Sequence, residues 1–448
     1  MNVLEGHNWT LYVGDCREAM AVMPERSVHC VVSSPPYWGL RDYGIPPVDW
    51  QDGERCVFGL ESTVQGYVRH TLEVFEGLRR VLRDDGVIWW NVGDSFITGA
   101  GKAKNPGSRV GNGNRMSIED YPATGPNRMP QDGIPAGSKG LIPHRIAIAL
   151  QEAGWCVRQD NVWAKRSPMP ESVSGWRWRD GKLRKGSWRT TNAHEYIFMV
   201  TKGGNYFSDG DGAAEAVANV NRSGSGNKTK RWGNNHTDVR ANGTGEVERQ
   251  SGTPWSNCET RNPRSVWTLS NEPFKGAHFA CFPTAIPRRC ITASTSRGGV
   301  CPACGSQYAP IVETSRVATR PGNDSKVGRV SDKPESPYHG QNGAVVGNRD
   351  PQRHVTVVTV HGYRASCDCN AGEPVRPRVF DPFNGSGTTG QVAVSLGCEY
   401  VGCEINETYA RELAAVRIET PLPDRTKPAP KRRKRHKEQR SLFSEGGH

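Results

Sequence analysis

Two periods of apolar residues run through the first 95 positions. Nearly continuous apolar runs at 28–32 and 86–92 predict strands buried on both faces, and Leu72, Phe75, Leu78, Val81 and Leu82 recur at helical spacing and predict a helix over 72–82. Strand, helix, strand in this order predicts an α/β sheet. A helix over 143–153 and strands over 155–165 and 195–201 extend the pattern. It returns strongly at 376–418, with strands at 378–380 and 399–403 and helices at 391–396 and 407–418. Elsewhere the periodicity lapses. Residues 98–140 are rich in Gly, Asn, Pro and Ser and predict a long mobile surface loop. Residues 208–262 and 316–353 are too polar to form a core of their own. An insert at 175–190 is rich in Arg and Trp, and no internal repeat is present.

With 448 residues the chain can bury a large core and still carry insertions. No run of about 18 apolar residues appears, and the start lacks a charged-then-apolar signal pattern, so the expectation is a soluble cytoplasmic protein with no membrane partner. The 13 cysteines are odd in number and mostly stand singly, which fits reduced thiols. The formal charge is +12, but nine Lys/Arg from Arg425 to Arg440 against Glu438 alone place +8 of it in the tail. Such a block is either an arm for a polyanion or a solvated tail.

Two motifs carry candidate chemistry. The first is Asp381-Pro382-Phe383-Asn384-Gly385-Ser386-Gly387-Thr388-Thr389-Gly390, lying after a short strand and before a helix, with Glu404 ending the next strand. Its glycines permit close approach of a ligand, the helix start offers N–H groups to an anion, and Glu404 can accept hydrogen bonds from ribose hydroxyls. Taken alone, this loop also fits a nicotinamide-dinucleotide site, or a tight glycine turn with no ligand. The second motif is Ser33-Ser34-Pro35-Pro36-Tyr37-Trp38, following the strand at 28–32. Successive prolines donate no N–H and leave carbonyls to accept hydrogen bonds, and Tyr37 offers a flat face for an extruded base. A bare Pro-Pro-Tyr is more often a strand-capping turn beside core aromatics.

Together the motifs resemble those of DNA amino-methyltransferases of bacterial or phage type. Ser34, Pro35, Pro36 and Tyr37 resemble the catalytic motif, and Asp381, Phe383, Gly385, Ser386, Gly387, Thr388 and Thr389 the cofactor loop. Asp15, after Gly14, is similar to the acid that holds the adenine amine, and Glu404 to the one on the ribose. His278-Phe279-Ala280-Cys281-Phe282-Pro283 resembles the segment that closes over the methionine end, so Phe279 and Phe282 join the cofactor site. Two further family segments are similar to residues 167–172 and 194–198. Placing the catalytic motif before the cofactor loop resembles the permuted β group.

The resemblance implies a doubly wound, mostly parallel α/β sheet of Rossmann-like type, S-adenosyl-L-methionine as cofactor and double-stranded DNA as partner. It implies direct transfer of a methyl group to an exocyclic amine, with Ser34 and the Pro35 carbonyl accepting from that amine. Serine at the first motif position points to cytosine N4, with adenine N6 as the alternative. A carbon-5 mechanism needs a nucleophilic Pro-Cys pair, which is absent from the sequence.

Cys301-Pro302-Ala303-Cys304-Gly305 and Cys367-Asp368-Cys369 could form a four-thiolate zinc site, with His354 and His361 as alternative ligands. Gln439-Arg440-Ser441-Leu442-Phe443 looks like the peptide by which bacterial proteins dock on the sliding clamp. The expected division is 1–207 as the first part of the catalytic domain, 208–265 for target recognition and 266–295 for the methionine-end segment. A Cys-rich insertion follows at 296–375, then the cofactor-binding part at 376–420 and a basic tail at 421–448.

Overall fold

The computed structural model describes residues 1–40, 42–97, 133–168, 170, 173–216, 260–272, 281–318 and 354–422. In chain order the elements are β1 Asn2–Gly6, β2 Trp9–Val13, α1 Cys16–Val22, β3 Val28–Ser33, β4 Val48–Asp49, β5 Arg55–Cys56, α2 Val64–Val81, β6 Leu82–Val92, α3 Ile142–Glu152 and β7 Cys156–Lys165. They continue with β8 Arg177–Arg179, β9 Lys182–Arg184, β10 His194–Thr201, α4 Gly210–Ala213, β11 Glu215–Ala216, β12 Thr260–Arg261, β13 Val266–Leu269 and α5 Ala285–Ser294. The last are β14 Ala309–Ala318, β15 His354–Arg364, β16 Arg378–Asp381, α6 Thr388–Ser395, β17 Glu399–Glu404, a π-helical turn Tyr409–Ala414 and α7 Ala415–Glu419.

Nine strands form one sheet in the order β1-β2-β17-β16-β3-β6-β10-β7-β13. The five strands from β2 to β6 run parallel, while β1, β10 and β7 introduce antiparallel pairs. Beside β16 the order reverses: α6 leads outward to β17 on one side, and α2 leads from β3 to β6 on the other. Right-handed crossovers in opposite directions put these helices on opposite faces of the sheet. Two apolar clusters reflect this. Val31, Ile88 and Phe380 pack with α1, α2 and α3, whereas Cys30, Val32, Val87 and Val379 pack with α5, α6 and α7. Successive residues of β3 thus feed opposite layers, which explains its unbroken apolar run. Each fully buried large side chain contributes about 1.5–3 kcal/mol.

The sequence expectations hold for element type and slip at boundaries. The expected helix 72–82 begins at Val64, capped by the Thr63 hydroxyl, which accepts the Gly66 N–H at 2.9 Å. Its first turns bury Tyr67, His70 and Thr71, polar enough to hide the periodicity. Residue 82, the expected helix end, starts β6. The helix expected at 391–396 begins at Thr388, and that at 407–418 starts as the π-helical turn. Strands β1, β2 and β13, helix α5 and the long β14–β15 ribbon are absent from the sequence expectations. The ribbon runs from Ala309↔Arg364 to Ala318↔His354 and leaves Ile311, Val312 and Val358 exposed, so burial never imposes an alternation on it. Of the expected loop 98–140, residues 98–132 lie outside the described residues. Its end folds back, with Ile134 buried and the Gly140 N–H donating to the Ser95 carbonyl at 2.8 Å.

Candidate active site

Reversal of strand order opens a cleft at the carboxyl ends of β16 and β3, the usual ligand position in open α/β sheets. Asp381 ends β16. Its buried carboxylate accepts the Ser33 hydroxyl at 2.6 Å and the Phe383 N–H at 3.1 Å, and burial pushes its pKa up to about 6. This bond joins the two motifs directly across neighbouring strands. Gly385 and Gly387 take φ values of 52° and 79°, the left-handed region that favours glycine. Glu404 ends β17 and accepts the Gly385 N–H at 2.8 Å and the Asn406 N–H at 2.9 Å. Burial pushes its carboxyl up to about 7.

Other residues of the expected cofactor loop divide by environment. Phe383 stacks on Phe58 with centroids 5.1 Å apart and faces the cleft. Thr388 and Thr389 line the cleft, and the Thr389 hydroxyl donates to the Val32 carbonyl at 3.2 Å. The Ser386 hydroxyl is engaged by Arg417 at 2.7 Å, with Cys281 Sγ 2.8 Å away. Gly387 serves packing: a Cβ there would meet the Ala414 carbonyl oxygen at 3.0 Å. Asp15 reaches the cleft, but it also caps α1 through the Arg17 N–H at 2.8 Å and pairs with the Arg17 guanidinium at 2.6 Å. Phe282 is buried beside the cleft, and Phe279 lies outside the described residues.

On the β3 side, the Ser34 hydroxyl donates to Tyr37 Oη at 3.3 Å, and Tyr37 in turn donates to Glu195 Oε2 at 2.7 Å, with Asn91 Oδ1 3.1 Å away. Burial beside Glu195 pushes the Tyr37 hydroxyl well above its ordinary value, so it stays a donor. The Pro36 carbonyl is taken by the Tyr67 hydroxyl at 2.8 Å. Ser34 and Pro35 both line the cleft, and among the described residues no donor bonds the Pro35 carbonyl.

The cleft encloses about 670 Å³ and is lined by both motifs. Several of its walls were invisible to sequence reasoning. Lys165, which pairs with Glu195, and Trp163 come from β7; Asn91 comes from β6 and donates to the Tyr196 carbonyl at 3.0 Å. Trp50 and Phe58 come from the segment after the catalytic motif, where Arg17 lies 4.1 Å over the Trp50 ring and His70 stacks beneath it at 4.1 Å. Of these walls, only the 194–198 segment carries a signal in the sequence, as a resemblance without an assigned role.

Cys301, Cys304, Cys367 and Cys369 converge, their sulfurs all within 4.8 Å of one another. None of the described cysteines is disulfide-bonded. The knuckle turns through Gly305 at φ 70°, whose N–H donates to the Cys301 carbonyl at 2.8 Å. It sits at the opposite end of the sheet from the cleft. Arg83, at the start of β6, donates to the Cys304 carbonyl at 2.7 Å, and His29, near the start of β3, donates to the Gly305 carbonyl at 3.0 Å. Among the described residues His361 pairs instead with Glu313 at 2.8 Å. Residues 439–443 lie outside the described residues, as do 217–259 of the expected recognition region. No described helix is long and apolar enough to cross a membrane.

Comparison with known proteins bears directly on this cleft. The DNA methylase family model, N6_N4_Mtase, matches residues 28–302 and 374–416, spanning both motifs and leaving out most of the Cys-rich insertion. Type II methyltransferase M.Cfr9I of Citrobacter freundii is 36% identical over 300 residues, covering 66% of this chain and 75% of that protein. Type II methyltransferase M.SmaI of Serratia marcescens is 29% identical over 408 residues, covering 91% of this chain and 90% of its own. Among solved structures, the PvuII DNA methyltransferase (cytosine-N4-specific) aligns with a TM-score of 0.45 and 15% identity over 93% of this chain and 88% of that one. With the matched family model enclosing the two loops that meet at Asp381 and Ser33, the chain belongs to the N6/N4 DNA methylase family and is an S-adenosylmethionine-dependent DNA methyltransferase.

Proposed function

We propose that the protein methylates the N4 amine of cytosine in duplex DNA. The observation that carries this reading is Ser34 at the first position of the catalytic loop, with the Pro35 carbonyl next to it in the chain. An exocyclic amine presents two N–H donors, and this pair of oxygens offers two acceptors. Holding both protons aims the nitrogen lone pair at the methyl carbon. The loop then works by positioning and electrostatic acceptance, with no covalent intermediate.

When bound, S-adenosylmethionine supplies an electrophilic methyl group on a sulfonium. The cleft fits such a ligand: its volume lies in the usual range for cofactor sites, the left-handed Gly385 at its wall permits close backbone approach, and the half-buried Glu404 carboxylate lines it at the end of β17. We assign the ribose hydroxyls to Glu404, the adenine surroundings to Phe383 and Asp15, and the methionine end to Asp381 and Phe282. Tyr37, braced by Glu195, walls the extruded base. Phe279 and the recognition role of residues 208–265 stay with the assignment made from sequence. Because the relatives named above are Type II methyltransferases, the proposed setting is restriction–modification. Modification-sensitive sequencing of DNA from cells expressing the protein is expected to report N4-methylcytosine in one fixed context; N6-methyladenine there would overturn the choice of base.

We also propose that the four converged cysteines hold one structural zinc ion. Four thiolates in a Cys-x-x-Cys-Gly knuckle and a Cys-x-Cys half-site are a zinc-type donor set, and their position away from the cleft suits a clasp between the β14–β15 ribbon and the sheet. Metal analysis is expected to find one zinc per chain. Cys301→Ser with Cys304→Ser should abolish it and lower the Tm by several degrees, with S-adenosylhomocysteine affinity little changed. A metal-free protein whose cysteines are joined as disulfides would contradict the site.

A further inference from the structure

Residues 166–193 leave the sheet after Lys165 and rejoin it at β10, immediately before Glu195. Because β10 runs antiparallel to both β6 and β7, the two ends of this excursion lie where β3 and β6 finish, at the mouth of the cleft. Lys165 and Glu195 themselves line that cleft. The excursion carries the β8–β9 ribbon, in which Arg177 pairs with Arg184, Trp178 with Leu183 and Arg179 with Lys182. Asp180 and Gly181 close it with φ values of 52° and 69°, the two-residue turn that matches strand twist.

Side chains alternate across such a ribbon. One face therefore presents Trp178 and Leu183, and the other presents Arg177, Arg179, Lys182 and Arg184. Neither face is covered among the described residues. Trp178 is 73% exposed, and Trp176 and Trp188 beside it are 68% and 66% exposed. A tryptophan contributes most when buried, and an isolated two-stranded ribbon is marginal in water. Both faces therefore await a surface that takes cations on one side and flat apolar contact on the other.

We propose that this ribbon is a DNA arm, with its four-cation face along the phosphodiester backbone beside the target base and Trp178 stacked on DNA at the opened site. The proposal rests on the DNA-methyltransferase assignment. Charge complementarity and the position at the cleft mouth select DNA as the occupant. Extruding a base leaves unstacked neighbours, and an aromatic side chain compensates such a gap in proteins that deform a duplex.

Duplex binding by the full chain, followed by fluorescence anisotropy across a salt series, tests the arm. The variant R177A/R179A/K182A/R184A is expected to bind duplex at least tenfold more weakly. Its slope of log K against log salt should fall by about 0.9 for each phosphate no longer neutralised, up to about 3.6. Trp178→Ala should weaken binding about tenfold with the slope unchanged, and Trp178→Phe should restore most of the affinity. Melting temperature and S-adenosylhomocysteine affinity should match wild type in all three, because the ribbon packs on no part of the core. Wild-type duplex affinity and slope in the four-cation variant would overturn the arm. Methyl transfer by the wild type on the same duplex keeps that failure separate from a failure of the enzyme assignment.

Discussion

Ser34→Ala is expected to lower the single-turnover rate of methyl transfer about 10²–10³-fold, while affinities for S-adenosylhomocysteine and duplex DNA stay within about twofold of wild type. This magnitude follows the effect of removing one preorganised group aimed at developing charge, roughly 3–4 kcal/mol. In the proposed mechanism the amine nitrogen becomes positive as it takes the methyl group, and the Ser34 hydroxyl is one of two acceptors on its protons. The same substitution frees Tyr37 of a 3.3 Å bond without moving it, because Glu195 at 2.7 Å still holds the ring. Tyr37→Ala should be equally severe, since it removes both the wall for the base and the partner of Ser34. Rapid-quench transfer of tritium from labelled cofactor measures both. Turnover at the wild-type rate in both variants would remove the chemistry from this loop.

The second large effect is on cofactor binding. Glu404→Ala is expected to weaken S-adenosylhomocysteine binding about 10²-fold, corresponding to roughly 3 kcal/mol for charged hydrogen bonds to two ribose hydroxyls. It also removes the acceptor for the Gly385 and Asn406 N–H groups, which hold the glycine loop against β17. pH sharpens this prediction. The folded carboxyl titrates near 7, so below that value it is largely neutral and a poorer acceptor. Cofactor affinity should therefore rise between about pH 6 and pH 8 and then level, and Glu404→Gln should flatten the profile. Stability of the unliganded protein runs the other way. With folded values near 7 for Glu404 and 6 for Asp381, above the unfolded carboxylate range, their contribution is fully present below about pH 4 and is lost as pH rises through 6 and 7. Calorimetric titration with S-adenosylhomocysteine across that range checks the sign, and affinity that falls with rising pH would contradict it.

The contrast between these two loops and their surroundings shows what the sequence can carry. The cofactor loop is legible because its determinants are local: a strand ending at Asp381, glycines that alone tolerate left-handed φ, and a helix start within ten residues. Ser34 and Tyr37 are legible for the same reason, as a rigid turn at a strand's end. Lys165 and Asn91 are not, because nothing near them in sequence differs from ordinary strand polarity, and Glu195 is marked only by the resemblance of 194–198, which gives it no role. They become a site only when β10 inserts antiparallel between β6 and β7 and brings Glu195 to the Tyr37 hydroxyl. Motif alone does not show what each member touches: the Ser386 hydroxyl, at the cleft wall, is engaged by Arg417, and Gly387 makes room for Ala414. The four cysteines show the opposite case: two half-sites separated by a long polar segment are recognisable by spacing, and the chain does bring their sulfurs together.

The proposed transfer of a methyl group from S-adenosylmethionine to the cytosine amine, in the cleft where Asp381 meets Ser33, is open to one direct measurement. Purified protein is incubated with tritiated cofactor and duplex DNA, the product is digested and its nucleosides are separated. The label is expected to co-migrate with N4-methyldeoxycytidine in the wild type and to disappear with Ser34→Ala. Label on 5-methyldeoxycytidine, or none on DNA at all, would contradict this chemistry.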